Sequence, residues 1–144
     1  MKRLLLSLAV PLLLVNISAL AQQNSSSTNE AGLVSATVRN YIEAYYTGDA
    51  ARMEQTLHPH YLKHVIHGDI PMREKTAAQM LSSMHQEGIP DLAQAQRTEQ
   101  ITVLDVSGEI ASAKLVTPGW TDYLTLSKSE GNWKILSVVQ RIDN

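Results

Sequence analysis

The sequence contains no cysteine. That removes disulfides, thiol nucleophiles, thiolate metal ligands and a lipid-attachment residue. There is no GxGxxG, no P-loop and no GxSxG, so the common dinucleotide, nucleotide triphosphate and serine-hydrolase signatures are missing. Positive charge is also scarce. Twelve basic residues face fourteen acidic ones, for a net charge of −2. Nucleic acid is therefore not an expected partner, because its recognition calls for a basic face. No basic amphipathic helix of the membrane-surface type is present either.

Long apolar runs are missing as well. Leu4 to Val15 is apolar, broken by Ser7 and Pro11, and falls short of the roughly 20 residues that span a bilayer. Lys2 and Arg3 precede it, and Ala19-Leu20-Ala21 follows as a small-x-small cleavage site. Residues 1–21 read as a secretory signal peptide. The expectation is export to the periplasm or medium, with no membrane attachment after cleavage. Taking 21 residues from 144 leaves 123, enough for one domain with a real core. The polar stretch 22–32 has no apolar period and reads as a disordered leader. The domain then occupies 33–144.

Val34, Val38, Tyr41, Ile42 and Tyr45 recur at helical spacing. Thr47-Gly48-Asp49 breaks this helix, with Asp49 placed to cap a short second one over Ala50, Met53 and Leu57. Pro59 is expected to stop it. Leu62 to His67 reads as a short strand. Pro71 marks the expected start of a third helix, with Ala77, Met80, Leu81 and Met84 as its apolar stripe and Gly88 and Pro90 as its stop. From Thr98 the period becomes two. Four strands follow, separated by Ser107-Gly108-Glu109, Thr117-Pro118-Gly119 and Ser129-Glu130-Gly131-Asn132. The expected class is α+β, with helices on one face of an antiparallel meander.

Two stretches carry a resemblance. YIEAYYTGDAARM over 41–53, followed by LHP over 57–59, resembles the first two helices of the putative lumazine-binding branch of the nuclear transport factor 2-like superfamily, near the SnoaL-like polyketide cyclases. DYLTLSK over 122–128, followed by GNWKI over 131–135, resembles that branch's last hairpin. The likeness spans roughly residues 33–142. It implies a cone-shaped fold, with three N-terminal helices packed on a curved antiparallel sheet and a pocket between them. It also implies a homodimer that pairs sheet against sheet. Some relatives are isomerases, dehydratases or cyclases working with acid–base pairs. The resemblance requires no cofactor.

His58, His60, His64 and His67 fall within ten residues. On a strand His64 and His67 point to opposite faces, so they do not converge on a metal, and surface or corner histidines are the plainer reading. No metal site is expected. His64 is the histidine chosen as a candidate catalytic base, on the strand that the resemblance places at the mouth of the cone. Asp122 is the second candidate. It shares a strand face with Leu124 and Leu126, where an unpaired carboxylate is costly and acquires a raised pKa. Its plainer alternative is a pairing with the Pro118-Gly119 turn or with Arg141. Tyr41, Tyr45, Met80, Met84 and Trp120 are candidate pocket-lining residues, with core packing as their alternative.

Three functions remain open at this point. The first is an exported domain binding a small apolar or aromatic molecule. The second is an isomerase, dehydratase or cyclase, with a tyrosine hydroxyl donating to an oxyanion. The third is an interaction module using the outer face of the sheet.

Overall fold

The computed structural model describes residues 15–86 and 97–143. Helix α1 (Val15–Thr47) and helix α2 (Ala50–Thr56) meet at a tight corner. Gly48 closes α1 with φ at +68°, a left-handed conformation that costs glycine little. Asp49 caps α2 by accepting from the Arg52 amide at 2.9 Å. Strands β1 (Leu57–His67) and β2 (Ile70–Thr76) follow as a hairpin, then helix α3 (Ala77–Gln86). Strands β3 (Gln100–Ser107), β4 (Ile110–Thr117), β5 (Trp120–Ser129) and β6 (Asn132–Ile142) form the expected meander.

The sheet has six strands in the order β2-β1-β6-β5-β4-β3. Four expectations are corrected here. The segment that Pro71 was expected to open is the strand β2, not helix. Pro71 is tolerated because β2 is an edge strand, whose outward amides need no partner. Pro59 lies inside β1, where the ladder to β6 skips from Leu57 to Leu62 and asks nothing of the missing N–H. The sheet is also mixed rather than antiparallel throughout, because β1 runs parallel to β6. The three helices are therefore not all N-terminal, since the β1–β2 hairpin separates α3 from the first two. The expected stop of α3 at Gly88 and Pro90 lies outside the described residues.

Helix α1 also runs through 22–32, the stretch expected as a disordered leader. Glu30 ties this part to the sheet, accepting from Lys128 Nζ at 2.7 Å and from the Trp133 indole at 2.8 Å. Among the described residues no helix is long and apolar enough to cross a membrane.

Alternation divides the sheet into two faces. Tyr61, Lys63 and Val65 of β1, Val138 of β6, Asp122, Leu124 and Leu126 of β5, and Ala111, Ala113 and Leu115 of β4 are buried on the inner face. Val34, Val38, Tyr41 and Ile42 of α1 close over them in one core. The apolar period read in α1 is thus its buried stripe. A bulge between β5 and β6, where Thr125 pairs with Ser137 and Leu126 with Ile135, bends the sheet around the helices.

Candidate functional site

The inner face carries a polar cluster deep in this core. Asp122 is fully buried, at 0% exposure, with Gln140 directly opposite on β6. Its nearest cation is Lys63, whose Nζ lies 3.9 Å from Oδ2. Lys63 is itself only 6% exposed. Its ammonium donates to the Tyr41 hydroxyl at 3.1 Å. The Tyr61 hydroxyl is buried beside that of Tyr41 without reaching hydrogen-bond geometry, and both carboxylate oxygens of Asp122 likewise reach no partner. Gln140 and Trp120 face the carboxylate and favour its charged form, but neither reaches hydrogen-bond geometry.

Burial sets the electrostatics. Desolvation raises the pKa of Asp122 above the ordinary carboxylate value, against the opposing pull of Lys63. Desolvation lowers that of Lys63, opposed by Asp122 and assisted by Lys75. Acid and amine are therefore both pushed toward their neutral forms. Burial also raises Tyr41 and Tyr61, which stay protonated and keep their O–H donors. Tyr41 accepts from Lys63, and its own hydroxyl lies beside that of Tyr61.

Local sequence explains the arrangement. Lys63 sits between Tyr61 and Val65 at a spacing of two, so it shares their inward face. The parallel ladder sets Lys63 opposite Val138 and Val65 opposite Gln140. Strand β6 thus lies between Lys63 and Asp122, and both side chains converge above it. Tyr41 projects from α1 onto the same spot, with Lys63 Nζ 5.8 Å from its ring centroid.

The other candidates fall elsewhere. His64 points to the outer face, where Nε2 lies 3.1 Å from Oε1 of Glu74 on β2. The structure therefore brings Asp122 together with Lys63, not with His64. Arg141 pairs with Asp143 at the surface and is not the partner of Asp122. Tyr41 and Met80 are buried in the core, while Tyr45, Met84 and Trp120 pack against it half-buried. Tyr45 and Trp120 meet edge to face, with ring centroids 5.7 Å apart. His58 and His60 are neighbours, their ring centroids 5.5 Å apart. Among the described residues no group of three histidines or carboxylates is arranged to hold a metal ion.

A cleft of about 520 Å³ opens away from this cluster, between α1, α2 and the β5–β6 turn. Thr37, Asn40, Arg52, Trp133 and Lys134 line it, and none of the five expected pocket residues does. Its cations are engaged. Arg52 holds Asn40 and Glu43, and Lys134 donates to the Gln55 carbonyl.

The profile of the family described as Putative lumazine-binding matches residues 29–140. The chain belongs to that family. Among curated proteins none is similar in sequence. Solved structures share the shape of this lumazine-binding family member. A nuclear transport factor 2-like protein from Silicibacter pomeroyi is 18% identical, with a TM-score of 0.67 over 81% of this chain and 98% of its own. One from Shewanella baltica is 17% identical, with a TM-score of 0.67 over 81% and 96%. A ketosteroid isomerase-like protein from Erwinia carotovora atroseptica is 16% identical, with a TM-score of 0.60 over 80% and 97%. At these identities the likeness establishes the nuclear transport factor 2-like fold, α+β with a curved sheet.

Lys63 and Tyr61 were missed in the sequence. A signal for both was present. Tyr61, Lys63 and Val65 alternate, and a strand that buries Val65 must turn Lys63 inward too.

Proposed function

We propose that this domain binds a small, largely apolar molecule whose single oxygen-bearing head group meets Asp122, Tyr61, Tyr41 and Lys63. The observation that carries this reading is the set of unsatisfied buried polar atoms at one place, the Tyr61 hydroxyl and both Asp122 oxygens. Leaving such a group without a partner costs about 1–3 kcal/mol, and more for a charged one. A ligand carrying both a donor and an acceptor supplies the missing bonds. Val65, Leu124 and Val138 are the buried apolar neighbours on the same sheet face. Native mass spectrometry of the protein isolated from its own host tests this. A reproducible small-molecule adduct is expected, and Asp122→Leu should lose it. A bare protein, together with no thermal shift from a panel of small alcohols and carbonyl compounds, would reject the reading.

The raised pKa of Asp122 beside two tyrosine donors favours a second reading at the same site. Asp122 takes a proton from the bound molecule while a tyrosine hydroxyl supports the developing oxyanion. Turnover that survives Asp122→Asn would remove it.

The domain works outside the cytoplasm and pairs with a second copy. Residues 1–21 support the first statement. The exposed apolar side chains of the outer sheet face, Tyr123, Val139 and Ile66, support the second.

A further inference from the structure

Lys63 is set apart from the other described lysines. Lys114 lies over the Tyr123 ring on the outer face. Lys128 is bonded to Glu30, Lys134 to the Gln55 carbonyl, and Lys75 reaches Ser83 at 3.4 Å. Lys63 alone extends its amine into the core. Lysine is almost never buried unless it is paired. Here the carboxylate stands 3.9 Å away, beyond a direct hydrogen bond, and the one hydrogen bond described for the amine goes to a neutral phenol at 3.1 Å. A lysine held only to stabilise the fold would be expected to close onto its carboxylate. This one is instead ringed by proton carriers, Tyr41 from α1, Tyr61 from its own strand and Asp122 from β5.

We infer that Lys63 is a nucleophile that condenses with a small aldehyde or ketone to form an imine, with Asp122 as the acid that releases water. The inference rests on the proposed function, because the carbonyl compound must reach the same cluster. A desolvated amine beside a proton donor is the arrangement that Schiff-base lysines require. The balance closes on the residues present. The Lys63 amine attacks the carbonyl carbon and forms the C–N bond. The carbonyl oxygen leaves as water, taking one proton from the amine and one from the Asp122 carboxyl. The products are an iminium on Lys63 and a carboxylate on Asp122, so a neutral pair becomes an ion pair and nothing is oxidised or reduced. The Tyr41 hydroxyl hydrogen-bonds the amine and orients it. Burial, which favours the neutral amine and the neutral acid, prepares both reactants.

The probe is benzaldehyde with sodium cyanoborohydride, applied to the full chain at neutral pH and low conversion, followed by peptide mapping. Reduction fixes the imine as a benzyl group on whichever lysine formed it. Lys63 should be labelled several-fold faster than Lys75, Lys114, Lys128 or Lys134, since its buried amine, held by Tyr41 beside Asp122, carries more of the free-base form near neutrality. Tyr41→Phe should slow labelling at Lys63 several-fold and leave the surface lysines unchanged. Lys63→Arg should abolish the fast site. If that variant does not fold, the comparison among lysines of the unaltered protein decides alone. Labelling of the surface lysines without Lys63 overturns the inference. Benzyl alcohol separates the two ideas, being the same shape without an electrophilic carbon. A thermal shift with benzyl alcohol but no label on Lys63 leaves the binding reading standing and the imine rejected. Neither shift nor label rejects both.

Discussion

Lys63 and Asp122 lie on strands that do not touch, yet their polar ends approach to 3.9 Å across β6. Both are buried. Each is a polar group in an apolar interior, where losing a polar neighbour is costly. Lys63→Met or Asp122→Leu alone should cost about 1–3 kcal/mol, the penalty of leaving the other buried polar group without a partner. The double variant should be near neutral, or more stable than the unaltered protein by about 1–4 kcal/mol. Urea unfolding of the four proteins closes the cycle. Single variants as stable as the parent would show that the pair is not coupled.

The chain has two tryptophans, and they report on different places. Trp120 faces Asp122 and packs on Tyr45, whereas Trp133 is bonded to Glu30 at the opposite end of the hairpin. A ligand seated at the cluster should change the emission of Trp120 alone. The fluorescence response should vanish in Trp120→Phe and persist in Trp133→Phe. The reverse pattern would move the binding site to the cleft beside α2.

Glu30 sets a dependence on acid. Hydrogen bonds from Lys128 and then Trp133 hold its pKa below the ordinary 4.5. A carboxylate whose folded pKa is depressed contributes stability that is present above the unfolded value and is lost as pH falls through the folded one. Glu30→Gln should therefore lower the melting temperature at pH 6–7, and the gap should narrow steadily as the pH is taken below 4.5. A gap independent of pH would mean that this part of α1 does not dock on the sheet through its charge.

The proposed dimer rests on the outer face, where Tyr123 is 51% exposed and opposite Val139 in the ladder. Tyr123→Glu sets a charge in the middle of that surface and should convert the dimer to a monomer by light scattering at tens of micromolar, roughly a working concentration. The core residues are untouched, so the melting transition of the monomer should remain cooperative. A Tyr123→Glu protein that is still dimeric would place the contact elsewhere.

The sequence was informative where local and tertiary forces point the same way. The period of α1, the Gly48-Asp49 corner and the four strands of the meander were legible because local pattern and tertiary burial agree there. At 70–76 they conflict. Proline at a helix start and proline on an edge strand leave the same local mark, and only the neighbouring β1 decides between them. Asp122 was legible as a carboxylate on an apolar face. Its partner was not, because pairing along the chain suggested Arg141, whereas the parallel ladder of β1 on β6 delivers Lys63. His64 drew notice for its chemistry, while the residue beside it had the buried position. The Glu30 clamp on Lys128 and Trp133 had no local signal at all.

The parallel seam between β1 and β6 also sets a timetable. β1 is synthesised early, but one of its two neighbours is β6, the last of the described strands in chain order. Contacts so distant along the chain form late in folding. Until residues 132–142 are in place, the strand that seats Lys63 beside Asp122 is missing. The special environment of that amine is thus a property of the finished domain. A chain interrupted before β6 lacks the strand that brings the two residues together.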